Sequence, residues 1–536
     1  MTHSAIAIPP SSAFWDEAAR ALLERVPEGR TSRDLSSLRV LVPTYAHAHL
    51  LKAALARLLK DSFIPPAAGT LSGWLAFLPP DGVRVASASE RLMSLYAALR
   101  EQGWLKKLFS ARRNTDLLPL AEILLMLSDE LTQAMLPSLQ ATPNFADRRW
   151  QAALQTLTPA ARSLLSDETQ LVWSIWKSQL DASDALAVRY QRMLQLAQQA
   201  TQPLLWISPV DADPMERAFL DTYAAHQPVM TIGLDWRAQT LPAAYAAAWP
   251  EILDMPNVGS HPAPATNLRL YAARTLEDEA TIGAQTILDW LQAGRQRIAI
   301  VAQDRVVARR MRALLERAQV TVADETGWKL STTRAASALV AWFELIASRA
   351  DTVTLLDFLK SPFVFAGMAD KAERVIATET ALRRANVAGD WNAVIDALQA
   401  APAAYDMLTL LAEQAKAFGG RKSLCDWIAI SGRIFDAIGM REPLVADAAG
   451  RQILQLLQSI AQECGDVDHE FSLAEWRAFI SLQLESTAFV QQHDDQRVVM
   501  LPLNGARLRS FDAVLLVGAD AAHLPSQPAE TLFFAN

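Results

Sequence analysis

VVMLPLNGARLRSFDAVLLVGADAAHLP, residues Val498 to Pro525, sets two apolar runs around a short turn, and the second run ends in Gly518 and an acidic residue. Runs that are apolar at every position suit central strands of a parallel sheet covered on both faces, because polar alternation survives only where one face meets water. The same signal recurs upstream. Ala5–Ile8 is a short apolar run, Pro9-Pro-Ser-Ser12 a loop, and Phe14–Val26 an amphipathic helix with Asp16 and Glu17 in the first turn, where carboxylates complement the helix dipole. Leu38–Val42, Pro43-Thr-Tyr45 and an Ala- and Leu-rich helix from about Ala46 to Leu59 complete a β-α-β-α start with parallel strands.

Residues 84–200 read as almost wholly helical. Strands return at Pro203–Ser208 and Pro228–Leu234, and the Pro- and Ala-rich stretch 235–266 reads as a linker. A second α/β unit is expected to begin with a strand at Leu268–Tyr271, followed by the helix Thr275–Gln292, the strand Arg297–Ala302 and a helix from about Arg305 to Ala318. Residues 351–490 are again mostly helical. The expected organisation is a first sheet domain from 1–83 and 200–262, a helical insertion at 84–199, a second sheet domain from 263–350 and 491–536, and a second helical insertion at 351–490.

At 536 residues the chain exceeds the ~250–300 at which one core stops growing, so several domains are expected. An apolar fraction of 51% with 20% charged residues describes a helix-rich globular protein, and no window carries the ~18 uncharged apolar residues of a membrane span. The N-terminus lacks the basic and apolar regions of a signal peptide. The two cysteines, Cys425 and Cys464, have no His at ligand spacing, which favours buried thiols in a reducing cytoplasm over a zinc site. With a net charge of -8, any nucleic acid would have to be met by a local groove rather than a generally basic surface.

The 498–525 stretch resembles motif V of the superfamily 1 helicases, and the chain is most similar to the AddB/RexB group of helicase-nuclease subunits and their DNA repair relatives. Further places match in order: Leu41-Val-Pro-Thr44 with Gly69-Thr-Leu71 before Trp74, the run Ala273–Trp290 with Glu277 and Glu279, Ile298–Arg305, and Asp324–Ser331. The resemblance implies two RecA-like (P-loop NTPase-like) parallel-sheet domains, each with a large helical insertion. It further implies a PD-(D/E)XK exonuclease in the full-length protein. No carboxylate-lysine set of that kind stands out here, so the 536 residues are expected to be an N-terminal portion that does not itself cut DNA, with no catalytic residue, metal or cofactor assigned.

Departures from the helicase pattern concern the nucleotide. Where helicases carry G-x-x-x-x-G-K-[ST], glycine N–H groups wrap the phosphates and lysine neutralises them. Here Pro9, Pro10, Ser11 and Ser12 supply no glycine and no lysine, and two of the four lack an N–H altogether. Gly419-Gly-Arg-Lys-Ser423 follows a helix and reads as a helix C-cap and loop. Asp167-Glu-Thr-Gln170 mimics the acidic D-E-x-Q string but reads as the start of a helix in the insertion. Gln303 stands where the resemblance expects an arginine after the strand. These losses together point to a helicase fold without ATP turnover.

Basic residues are the remaining candidates. Arg295, Arg297, Arg305, Arg309, Arg310, Arg312 and Arg317 crowd one α/β edge, and Arg305, Arg309 and Arg312 share a helix face suited to a phosphate backbone, an ordinary solvated face being the competing reading. Lys106, Lys107, Arg112 and Arg113 form a second cluster. Trp74, Trp328 and Tyr45 fall near loops that the resembling family uses for single-strand contacts. His47 and His49 at a helix start read as surface or cap residues. The function expected is an ATPase-degenerate, DNA-guiding region acting on single-stranded DNA, beside a helicase partner subunit; the rival is a scaffold that docks such a partner without touching DNA.

Overall fold

The computed structural model describes residues 3–524 except 10, 27–30, 80–81, 83, 104–111, 236–267, 400, 492–493 and most of 142–183, of which the helical stretch 172–178 is described. The chain is α/β and helix-rich, and it folds as two compact units. One holds the described residues of 3–85, 127–323 and 494–524; the other holds 86–126 and 324–492. Among the described residues no helix is long and apolar enough to cross a membrane.

The first unit is built on two sheets. Strands β1 (His3–Ile8), β2 (Arg39–Leu41), β3 (Ala67–Gly69), β4 (Leu204–Ile207) and β5 (Val229–Leu234) form a wholly parallel sheet in the order β1-β5-β4-β2-β3. The central strand β4 is apolar on both sides because both faces are covered, whereas edge strand β1 leaves His3, Ala5 and Ala7 exposed. Val40, Val42, Leu205 and Ile207 pack on the helices Phe14–Arg25 and Tyr45–Leu59, while Leu41, Leu204 and Trp206 pack on the helices Leu71–Ala76, Ala185–Gln198 and Pro214–His226. The helix Phe14–Arg25 buries Phe14, Trp15, Ala18, Ala19, Leu22 and Leu23, one stripe at helical spacing.

In the second sheet the order is β13-β6-β12-β7, from β6 (Ile298–Ala302), β7 (Ala323–Asp324), β12 (Val498–Leu501) and β13 (Ala513–Val517). β6 is parallel to both β12 and β13, with Val498 and Ala513 each opposite Ile298. Every residue of β6 and β12 is buried, as expected of the two strands with a neighbour on each side. Helices Leu276–Gln292 and Arg305–Arg317 cover one face, and Ala506 and Phe511 from the β12–β13 connection help to cover the other. Edge strand β13 leaves Val514 and Leu516 exposed.

The strand expected at Leu268–Tyr271 does not form. Both of its leucines and Tyr271 are more than half exposed, and no described strand pairs with it; without a neighbour to satisfy its N–H and C=O groups an apolar run has no ladder to join. The proposed linker at 235–266 lies, apart from Asp235, outside the described residues.

The second unit is helical around an aromatic core in which Phe358, Trp342, Phe418, Trp427 and Trp476 follow one another at centroid distances of 5.4 to 6.4 Å. Two-stranded antiparallel pieces, β8 (Trp328–Lys329) with β11 (Ala488–Phe489) and β9 (Arg421–Lys422) with β10 (Phe471–Ser472), close its connections. Gly419 and Gly420 follow the helix Pro402–Lys416, Gly420 with φ +76°, and Ser423 caps the next helix through the Asp426 N–H, a helix exit and re-entry rather than a phosphate loop. The helix Ala88–Glu101 belongs to this unit: Tyr96 and Arg100 both bond the buried Glu475 carboxylate.

Candidate nucleic-acid interface

Ligands of open parallel sheets gather at the carboxyl ends of the strands, and in the first unit those ends belong to loops from both sheets. β12 runs out through a short helical turn, Leu503–Ala506, into residues 507–511, which reach the first sheet. Leu508 packs against the core beneath the helices Phe14–Arg25 and Tyr45–Leu59, and its backbone adopts φ +56°, unusual for a residue with a side chain. Trp15 Nε1 donates to the Leu508 carbonyl at 2.6 Å, and His47 Nε2 bonds the Arg507 carbonyl at 3.0 Å. Because a carbonyl only accepts, this bond assigns the proton to Nε2, leaving Nδ1 to accept from the Thr44 hydroxyl at 3.1 Å. The Trp15 and His47 rings stack at 5.6 Å. Burial holds the His47 pKa below its ordinary value; the bond to Arg507 opposes this and the charge of Arg509 reinforces it.

The loop before the helix Phe14–Arg25 has its amides already committed. Ala13 N donates to Ser11 Oγ at 3.2 Å and Phe14 N to the Ser11 carbonyl at 3.2 Å, so two N–H groups that a phosphate would need are taken by the loop itself. Ser12 is exposed, Pro9 is half-buried, and Pro10 lies outside the described residues. At the end of β6, Gln303 N bonds the Val517 carbonyl at 2.9 Å, and Asp304 caps the next helix through Val306 N at 2.7 Å. Asp167–Gln170, the acidic look-alike, lies outside the described residues.

The arginine face is corrected by the structure. Arg312 is buried and its Nε donates to Glu316 at 2.6 Å; the apolar side of the helix Arg305–Arg317 absorbs its stem, so it does not join a solvent-facing row. Arg305 is half-buried, and Arg309 is exposed. Around them Arg310 is held by Glu277 through two bonds of 2.6 Å, and Arg297 by Asp512 at 3.3 Å. Lys106 and Lys107 lie outside the described residues; Arg112 and Arg113 donate backbone N–H groups to Asp116.

Of the aromatic candidates, Trp74 carries the Arg39 guanidinium 3.4 Å above its ring and packs beside the first sheet's core, and Trp328 lies against Phe489 at 6.1 Å in the helical unit. Neither presents a free stacking face. Tyr45 does: it is 57% exposed on the first turn of the helix capped by Thr44. A Cβ on Gly73 would come within 2.0 Å of the Tyr45 hydroxyl, so glycine there makes room for the ring to lie across the start of the helix Leu71–Ala76. His49 is exposed, whereas His47 is buried, its ring enclosed by Trp15 and the 507–509 backbone.

Sequence reasoning missed Arg507 and Arg509. Arg507 is exposed beside the Tyr45–His47 turn, and Arg509 lies 5.2 Å over the Phe511 ring. The signal was within the opening stretch, where Arg507-Leu508-Arg509 puts an apolar anchor between two cations. Arg507 and Tyr45 together offer a cation and an aromatic face on one rim, beside a helix start that Thr44 already caps through His47 N, which suits phosphate and base contact by side chains. Elsewhere, burial pushes the Cys464 thiol up to about 12, and among the described residues no three His, Cys, Asp or Glu are grouped to hold a metal ion. No family model matches this sequence, and no curated protein is similar to it.

Proposed function

We propose that the two-sheet unit is a pair of RecA-like lobes of an AddB/RexB-type DNA repair protein, that it does not turn over ATP, and that it guides a single DNA strand. The observation that carries this reading is the 507–509 bridge: the carboxyl ends of the two sheets are joined by Trp15, His47 and Leu508, with Arg507 and Tyr45 left facing solvent beside the joint. The committed amides of residues 13–14 support loss of the phosphate cradle. In this reading phosphates meet Arg507 and Arg309, and a base stacks on Tyr45.

Reversing two charges, Arg309→Glu with Arg507→Glu, tests it by fluorescence anisotropy with labelled single-stranded DNA. The variant is expected to lose affinity by roughly tenfold or more and to show a flatter salt dependence, because each lost phosphate contact releases fewer counterions. Unchanged affinity and slope in the folded variant would count against the site. A scaffold that docks a helicase partner is the second reading, favoured by the pairing of Arg297, Arg310 and Arg312 with acids; complete absence of DNA binding by the parent protein would select it.

A further inference from the structure

Phe77 is 86% exposed. A single apolar side chain on a surface needs no explanation, but this one follows another exposed aromatic. Phe77 is the C-cap of the helix Leu71–Ala76, with φ −85° and ψ −8°, and its N–H bonds the Trp74 carbonyl at 3.2 Å, so the helical course reaches it. Four residues earlier on that course stands Gly73, the position across which the Tyr45 ring lies. Residues i and i+4 share a helix face about 6 Å apart along the axis, and a helical side chain leans back toward the N-terminal turn. Phe77 therefore follows Tyr45, itself 57% exposed, along one side of the helix. The third aromatic, Trp74, is turned to the core and covered by Arg39.

Cations flank this pair. Arg507 is exposed on the Tyr45 side, where its carbonyl takes the bond from His47. On the Phe77 side, Arg192 Nη2 donates to the Leu78 carbonyl at 3.0 Å and to the Pro79 carbonyl at 3.4 Å. Both acceptors are neutral, so these bonds place the guanidinium beside Phe77 without cancelling its charge. Two aromatic faces between two arginines suit a single nucleic-acid strand, whose bases stack on π faces while its phosphates meet guanidinium groups. An apolar protein partner would call for a broader aliphatic patch, and the exposed neighbours on this helix, Ser72 and Ala76, are small.

We propose that Phe77 is a second base-stacking platform: neighbouring bases of one strand rest on Tyr45 and Phe77, and the phosphates on either side meet Arg507 and Arg192. The proposal rests on the DNA-guiding reading and gives the strand a course, from Arg507 along the helix Leu71–Ala76 toward Arg192. Every base has a π face, so this contact does not select a sequence.

Fluorescence anisotropy of the whole 536-residue protein with labelled oligothymidylate at two salt concentrations, and with an abasic strand of equal length for comparison, tests it. Phe77→Ala is expected to weaken oligothymidylate roughly fivefold or more, to leave the salt slope unchanged, and to narrow the preference for the strand with bases over the abasic one. Phe77→Trp keeps a π face and should bind as the parent does; Phe77→Leu keeps only apolar bulk and should bind as weakly as Phe77→Ala. So exposed a ring contributes little to the fold, and all the variants should melt with the parent. Salt-dependent binding by the parent that Phe77→Ala leaves unchanged would overturn the platform and spare the DNA-guiding reading. Parent-like binding by Phe77→Leu would overturn it as well, by showing an apolar contact of another kind. No binding by the parent at either salt concentration would overturn both.

Discussion

Replacing Glu475 by Gln removes one negative charge from the interior of the helical unit, and the structure gives the size of the effect. The Glu475 side chain is 2% exposed and takes bonds from Tyr96 Oη at 2.8 Å, Arg100 Nη1 at 3.0 Å, Ser472 N at 2.7 Å and Ser472 Oγ at 2.8 Å, with Arg421 at 3.3 Å. Burial by itself would raise the carboxyl pKa. The bonds from Ser472, Arg100 and Tyr96 outweigh it and hold the pKa to about 2, against an ordinary 4.5. At about 1.36 kcal/mol per pH unit that difference is worth about 3 kcal/mol, close to the cost of breaking a buried ion pair. A depressed carboxylate contributes fully above the unfolded pKa of 4.5 and loses that contribution as pH falls toward about 2. The deficit of Glu475→Gln should therefore be about 3 kcal/mol at neutral pH and shrink below pH 4.5. Because a chain of two units need not unfold in one step, the quantity to follow is the opening free energy of the helix Leu473–Ser486 by amide hydrogen exchange, in urea. A deficit under about 1 kcal/mol at neutral pH, or one that does not shrink in acid, would refute the reasoning.

His47 is held neutral, so as pH falls through its ordinary 6.5 the unfolded chain takes up a proton first and the docking of residues 507–509 weakens; their exchange protection should be flat above that pH and drop below it, and protection constant into mild acid would contradict the assignment. Gly518→Ala should cost about 2 kcal/mol or more, because φ is +74° and the added Cβ would lie 2.5 Å from Asp304 N; a melting temperature equal to the parent's would show the turn to be more yielding than drawn. Calorimetry with ATP and magnesium should give no heat of binding at the Pro9–Ser12 loop, and micromolar magnesium-dependent affinity would overturn the degenerate reading.

Uniformly apolar runs made the sheets legible. Val498–Leu501, Ala513–Val517 and Ile298–Ala302 are strands because a two-sided covered sheet needs no polar alternation, and capping residues such as Thr275 set the helix starts. Leu268–Tyr271, with Arg269 inside it, alternates as a half-covered strand would but finds no strand partner, and pairing is not written in a short window. Arg312 looked like a surface residue at helical spacing, yet its turn lies on the side of the helix that buries Ala308, Met311 and Leu315. The association of the helix Ala88–Glu101 with residues 324–492 was hidden because Tyr96 and Glu475 stand 379 positions apart. The candidate rim was half legible: the apolar stretch 498–525 stands out in the sequence, but Arg507 and Tyr45 acquire a shared rim only through the Leu508 anchor and the bond from His47 to Arg507.

The most direct test of the central claim is a titration of the unaltered protein with labelled single-stranded DNA at two salt concentrations, without nucleotide. A strand-guiding region with phosphate contacts at Arg507 and Arg309 predicts ATP-independent binding that weakens steeply as salt rises. Binding that requires ATP, or no salt-sensitive binding at all, would contradict it.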